Sequence, residues 1–307
     1  NEKVHAFKRS EARQRVREGM RTRLISPRLK RLQEEAERDF SRFWGRVAEQ
    51  SFWFKRWERA FEGVPTDFRW FVGGETNLSY AALDVHVERG WGGHAALIGL
   101  NEWGDRRTYT YVQLWQEVRR IARALRGLGV GEGDRVGIYM PTIPEAIAAM
   151  LATTRIGAIH VVVFAGFGSK ALRERLALSG AKVLLTSDVT YRRGQVINLK
   201  AIVDEALKDP LPDFEKLVVL RRGDKEVSLN PDRDLLWGTF LTQGEGQSDE
   251  VVRLESNAPA FILSTSGTTA KPKLVVHTHG PYQVGVRAMG DWMYGLRPQD
   301  IWWSTSD

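Results

Sequence analysis

The stretch "LSTSGTTAKPKLVVHTHG", Leu263 to Gly280, sets hydroxyl side chains, a glycine and lysines between two apolar runs. Before it, "PAFILSTS" is an apolar run that ends in hydroxyls. After it, "KLVVHTHG" is rich in β-branched residues, so the pattern predicts strand, loop, strand. Within the loop, Thr265, Ser266, Thr268 and Thr269 offer hydroxyl donors, Gly267 lets backbone N–H groups approach an anion, and Lys273 adds a cation. Convergent donors plus a cation are what phosphate oxygens require. The common G-x-x-x-x-G-K-[ST] pattern is absent, so the loop is a different phosphate cradle or a Ser/Thr-rich turn with surface lysines.

Upstream, helical and β-rich segments alternate from about Thr108. "TYTYVQLWQEVRRIARALRGLGV" places Leu114, Trp115, Val118, Ile121, Ala122 and Leu125 on one helical face and stops at Gly127 and Gly129. "DRVGIYM" reads as a strand, "PEAIAAMLATTRIG" as a helix and "AIHVVVF" as a buried strand. "SKALRERLALSG" then reads as a helix and "AKVLLTS" as a strand, followed by the helix "INLKAIVDEALK" and the strand of "FEKLVVLRR". Repetition of β-α-β units predicts an α/β fold with a parallel or mixed sheet covered by helices. The polar stretch from "GDKEVSLNPDRDLL" to "TQGEGQSDEVV" predicts surface excursions, and "DIWWSTSD" at 300–307 predicts a further strand.

The 307 residues are 42% hydrophobic and 27% charged, which excludes a disordered or collagen-like chain. Cysteine is absent, so disulfides and thiolate metal sites are excluded and a cytoplasmic location is the simplest expectation. There is no run of about 18 apolar residues, and the basic start lacks an apolar signal core. The net charge of +7 is uneven, since residues 1–59 carry 17 Lys or Arg against 9 Asp or Glu. This basic segment could contact nucleic acid. From Ser26 and Pro27, however, its apolar residues Leu29, Leu32, Ala36, Phe40, Phe43 and Val47 predict an ordinary packed helix. Trp44, Trp53, Trp57 and Trp70, set among Phe40, Phe43, Phe52, Phe54 and Phe61, predict an aromatic core rather than a base-stacking surface. His277 and His279 alternate on the expected strand, but no third ligand stands at useful spacing, and no metal site is expected.

The hydroxyl-rich loop resembles the phosphate-binding signature of the adenylate-forming enzymes, [ST]-S-G-[ST]-T-G-x-P-K-G, at eight of ten positions; Ala270 and Leu274 stand where that family has glycine. "NLSYAALDVHVERG", the long block from "RTYTYVQLW" to "SKALRERL", and "YRRGQVINLK" are similar to the AMP-forming acetyl-CoA synthetases and their short-chain relatives, from about Phe40 onward. The resemblance implies an incomplete N-terminal large domain of that fold over residues 86–307, preceded by a helical, aromatic-rich extension over 1–85. It implies a two-step reaction: a short carboxylate and ATP, with Mg2+, give an acyl-adenylate and pyrophosphate, and coenzyme A then displaces AMP. Thr265, Ser266, Gly267, Thr268, Thr269 and Lys273 would hold the phosphates. Phe164, Ala165 and Gly166 match the family's Phe-Gly-Gly turn for coenzyme A, and Arg192 matches one of its arginines. Gln195 takes the place of a second, leaving Arg193 as a substitute. The catalytic residues of the family would lie beyond Asp307, so these 307 residues alone are expected to be inactive. The competing expectations are a non-catalytic nucleotide or acyl-CoA binder on the same fold, and a nucleic-acid binder acting through the basic N-terminus.

Overall fold

The structure, a computed structural model, describes residues 26–64, 66–265 and 272–304. Among them the central element is a seven-stranded sheet. Its strands in chain order are β1 (Arg135–Tyr139), β2 (Ile159–Val162), β3 (Ala181–Ser187), β4 (Lys216–Leu220), β5 (Asp234–Leu236), β6 (Pro259–Thr265) and β7 (Lys273–Thr278). The spatial order is β5-β4-β3-β1-β2-β6-β7, parallel throughout except for β7, which runs antiparallel to β6.

The described residues form eight α-helices: α1 (Pro27–Arg38), α2 (Phe40–Ala48), α3 (Tyr111–Gly127), α4 (Pro144–Arg155), α5 (Ser169–Ser179), α6 (Leu199–Ala206), α7 (Trp237–Thr242) and α8 (His279–Met289). Strand alternation sorts the core into two layers. Val136, Ile138, Val183, Leu185 and Val218 pack against α3, α4 and α7 on one face. Tyr139, Leu184, Leu217 and Val219 pack against α5 and α6 on the other. The chain leaves β1 through α4 on the first face and β3 through α6 on the second, so a topological switch point lies at their carboxyl ends. Open α/β sheets bind ligands at such crevices.

Local chemistry sets the element ends. Thr110 and Gln113 form a reciprocal capping box on α3, each side chain accepting from the other's backbone N–H at 3.3 and 2.9 Å. The single helix expected from Ser26 breaks at Asp39, whose backbone is extended (φ −152°) and whose side chain accepts from Arg42 N to cap α2. The break turns Phe43 and Val47 into an aromatic core with Trp44, Trp53, Trp57 and Trp70, joined by Val284 and Ala288 of α8. Three of the six basic side chains of α1 and α2 are paired with acids, Arg28 with Asp291, Lys30 with Glu34 and Arg46 with Glu35.

Three further expectations are corrected. The polar excursion after β4 returns to the sheet as β5 and α7, because Trp237 and Phe240 bury almost completely against α3 and the core. The run "KLVVHTHG" stops being a strand at Thr278. There the backbone packs so closely on Ser256 that a Cβ on Gly280 would lie 1.9 Å from its Oγ, and α8 starts at His279. Ile301–Ser304 is irregular backbone, since a β-rich run becomes a strand only where another strand edge meets it.

Candidate phosphate and coenzyme A site

β2 and β6 are parallel neighbours, paired at His160–Phe261 and Val161–Ile262, so their carboxyl ends open on the same edge of the sheet. At the end of β6, Thr265 pairs directly across from Lys273, the first residue of β7, and directly opposed residues project to the same face. The hairpin therefore sets one hydroxyl and one ammonium side by side, both exposed, at the carboxyl end of β6. Ser266, Gly267, Thr268 and Thr269, the rest of the expected phosphate segment, lie outside the described residues. Leu274 packs against Ile159, Val161 and Ile262, so its side chain belongs to the sheet rather than to a ligand surface.

At the end of β2 the chain forms a tight turn closed by Phe167 N donating to Phe164 O at 3.0 Å. Gly166 occupies it because space is lacking: a Cβ there would lie 2.3 Å from the Phe164 ring and 2.8 Å from Arg192 Nη1. The Arg192 guanidinium sits 5.3 Å over the Phe164 ring. Phe164, Ala165, Gly166 and Arg192 are thus brought together one strand away from Thr265. Arg193 is not among them. It forms, with Gly194, the two-residue turn of the hairpin Val189–Arg192/Gln195–Asn198; φ is 53° at Arg193 and 75° at Gly194, and paired left-handed residues are the type I′ arrangement. Gln195 pairs directly with Arg192.

Tyr139, at the end of β1, donates its hydroxyl to Phe167 O at 2.5 Å; burial pushes its pKa up to about 12, so it remains a donor. Arg175 of α5 is a further residue beside the candidate site that no motif marks. Its Nε donates to Ser264 Oγ at 2.9 Å, and its guanidinium lies 4.4 Å over Phe167. The one signal in the sequence is a charged residue on the inward stripe of α5, beside Leu172, Leu176 and Ser179.

The two histidines do not form a pair. His277 stacks on Phe261, which stacks in turn on His160, whereas His279 lies in the first turn of α8 and accepts from Leu78 N through Nδ1. Burial pushes His279 down to about 4; burial, then the nearby His279, pushes His160 to about 3, and both are neutral imidazoles at physiological pH. Among the described residues no group of three or more His, Cys, Asp or Glu side chains converges as a metal site, and no helix is long and apolar enough to cross a membrane.

Residues 61–307 match the family described as AMP-binding enzyme. The chain belongs to the AMP-binding enzyme family. Residues 29–82 of this family member also match the family described as acetyl-coenzyme A synthetase N-terminus. The acetyl-coenzyme A synthetase of Rubrobacter xylanophilus is 43% identical over 275 residues, 89% of this chain and 42% of that protein. The 3-hydroxypropionyl-coenzyme A synthetase of Sulfurisphaera tokodaii is 46% identical over 274 residues, 87% of this chain and 41% of the relative. The acetyl-coenzyme A synthetase of Deinococcus radiodurans is 43% identical over 265 residues, covering 86% and 41%. This AMP-binding enzyme chain therefore spans about two fifths of the length of the relatives it matches.

Proposed function

We propose that the chain supplies the phosphate-binding and coenzyme A-binding part of an AMP-forming ligase that joins acetate, or a similarly short acid, to coenzyme A. One observation carries the reading: a Thr265–Lys273 pair and a Phe164–Gly166 turn with Arg192 stand at the carboxyl ends of two adjacent parallel strands. The first suits the β and γ phosphates of ATP, the second the nucleotide end of coenzyme A.

In the first step an oxygen of the carboxylate bonds to the α phosphorus of ATP and the bond to the β-phosphate oxygen breaks, so pyrophosphate leaves with the electron pair. Lys273 and the Thr265 hydroxyl, with Ser266, Gly267, Thr268 and Thr269 of the same segment, oppose the charge that grows on that leaving group. Magnesium enters with ATP as part of the substrate and shares that charge. In the second step the coenzyme A sulfur bonds to the acyl carbon, the thiol proton passes to solvent, and the bond from that carbon to the phosphate oxygen breaks so that AMP leaves with the electron pair. Arg192, and Arg193 beside it, would attract the phosphates of coenzyme A.

The test is pyrophosphate–ATP exchange with the longest polypeptide that carries this sequence, using acetate, propionate and 3-hydroxypropionate in turn, followed by coenzyme A-dependent AMP release. Exchange that requires a short acid, with AMP release that requires coenzyme A, is expected. ATP binding without exchange on any acid would replace the reading with that of a non-catalytic binder.

A further inference from the structure

Arg175 touches both halves of the candidate site, and neither step of the two-step reaction calls on it. From the middle of α5 its Nε donates to Ser264 Oγ at 2.9 Å and its Nη1 to Ala171 O at 2.9 Å, while the guanidinium face lies 4.4 Å from the Phe167 ring centre. Ser264 immediately precedes Thr265 on β6, so anchoring its hydroxyl fixes the strand end that presents Thr265 opposite Lys273. Phe167 meets Phe164 edge to face at 5.6 Å, and Phe164 carries Arg192. One contiguous stack thus runs from Ser264 through Arg175, Phe167 and Phe164 to Arg192.

We propose that Arg175 is a positioning residue that sets the phosphate-binding and coenzyme A-binding ends of the site against each other. The inference rests on the ligase reading. Its two contacts differ in kind: the bond to Ser264 needs a donor of the right reach, whereas the contact with Phe167 needs the flat, delocalised guanidinium. That difference makes the two halves separable.

Steady-state kinetics are measured on the longest polypeptide carrying the sequence, with the variants R175Q, R175K, S264A and F167L. R175Q should raise KM for ATP and KM for coenzyme A, each by about tenfold as expected for a lost charge-assisted contact, with KM for the acid held within about twofold. S264A should raise KM for ATP alone. F167L should raise KM for coenzyme A alone, by about threefold. R175K should recover KM for ATP but not KM for coenzyme A. A merely structural role would instead lower the active fraction or kcat in all four and leave every KM in place, and that result overturns the proposal. So does R175Q with both KM values unchanged. If unaltered protein shows no acid-dependent exchange, the ligase reading falls and takes this inference with it; an active unaltered protein with an indifferent R175Q overturns the inference alone.

Discussion

Replacing Asp84 by Asn should cost about 3 kcal/mol of folding free energy, because it strips the counter-charge from a buried guanidinium. Arg155 Nη1 donates to both oxygens of Asp84, at 3.0 and 2.8 Å, and the two side chains are 5% and 7% exposed. Trp115 Nε1 donates to the same carboxylate at 2.8 Å. The amide preserves the shape and an acceptor for Trp115, but turns an N–H toward Arg155. Breaking one partner of such a pair typically costs about 3–5 kcal/mol. The lower end applies here, since Arg155 Nε also donates to Asp249 O and the Asp249 carboxylate lies close enough to feel the Arg155 charge. Urea unfolding followed by tryptophan fluorescence measures it, with Trp115 in contact with the pair. Asp84→Asn combined with Arg155→Met should be less destabilised than the two single losses summed, by at least about 1 kcal/mol. A single-variant cost below about 1 kcal/mol, or additive losses in the double variant, would refute the reasoning.

Acid should destabilise the protein through the two buried imidazoles. Unfolded histidines take protons below about pH 6.5, whereas His279 refuses them down to about 4 and His160 to about 3, so stability is complete above pH 6.5 and falls as pH drops, by about 1.4 kcal/mol per unit for each. His279→Gln should flatten that slope between pH 6 and 4.5 in urea titrations, and an unchanged slope would place the acid sensitivity elsewhere. Gly166→Val should displace the Phe164 ring and Arg192 and raise KM for coenzyme A about tenfold, with pyrophosphate exchange within about twofold of normal. Thr110→Ala removes the capping box of α3 and should lower stability by about 1 kcal/mol in the same unfolding assay, with no effect on exchange.

The sheet is legible in the sequence wherever a strand is buried on both faces, because "RVGIY", "IHVV" and "KVLLT" then read as apolar runs between amphipathic helices. Legibility fails where long-range packing decides. Asp39 ends a helix whose periodic stripe continues past it, since its side chain is better used as a cap than as a solvated charge. Trp237 and Phe240 sit in polar, turn-rich surroundings, and only the groove beside α3 makes them core residues. At the candidate site, Phe164, Gly166 and Arg192 are reached only through the family resemblance, and the Thr265–Lys273 pair through the strand, loop, strand pattern. Arg193 cannot be assigned that way, because its role as the left-handed residue of a hairpin tip is a backbone property. Arg175 carries only the faint signal of a charge on an inward helix stripe, because its partners Phe167 and Ser264 are 8 and 89 positions away along the chain.

The insertion of β6 beside β2 has a consequence for synthesis. Phe261 pairs with His160 across the three intervening strands of the same sheet, so the loop that must close is long and its entropy cost precedes any contact between the two halves of the candidate site. The β1, β2 and β3 core can assemble from nearby segments while a ribosome is still translating the rest of the sheet. The strand end that carries Thr265 waits until the chain has been made well past it. On that order of assembly, a ligand that needs both halves of the candidate site meets a protein whose β1, β2 and β3 core is already built.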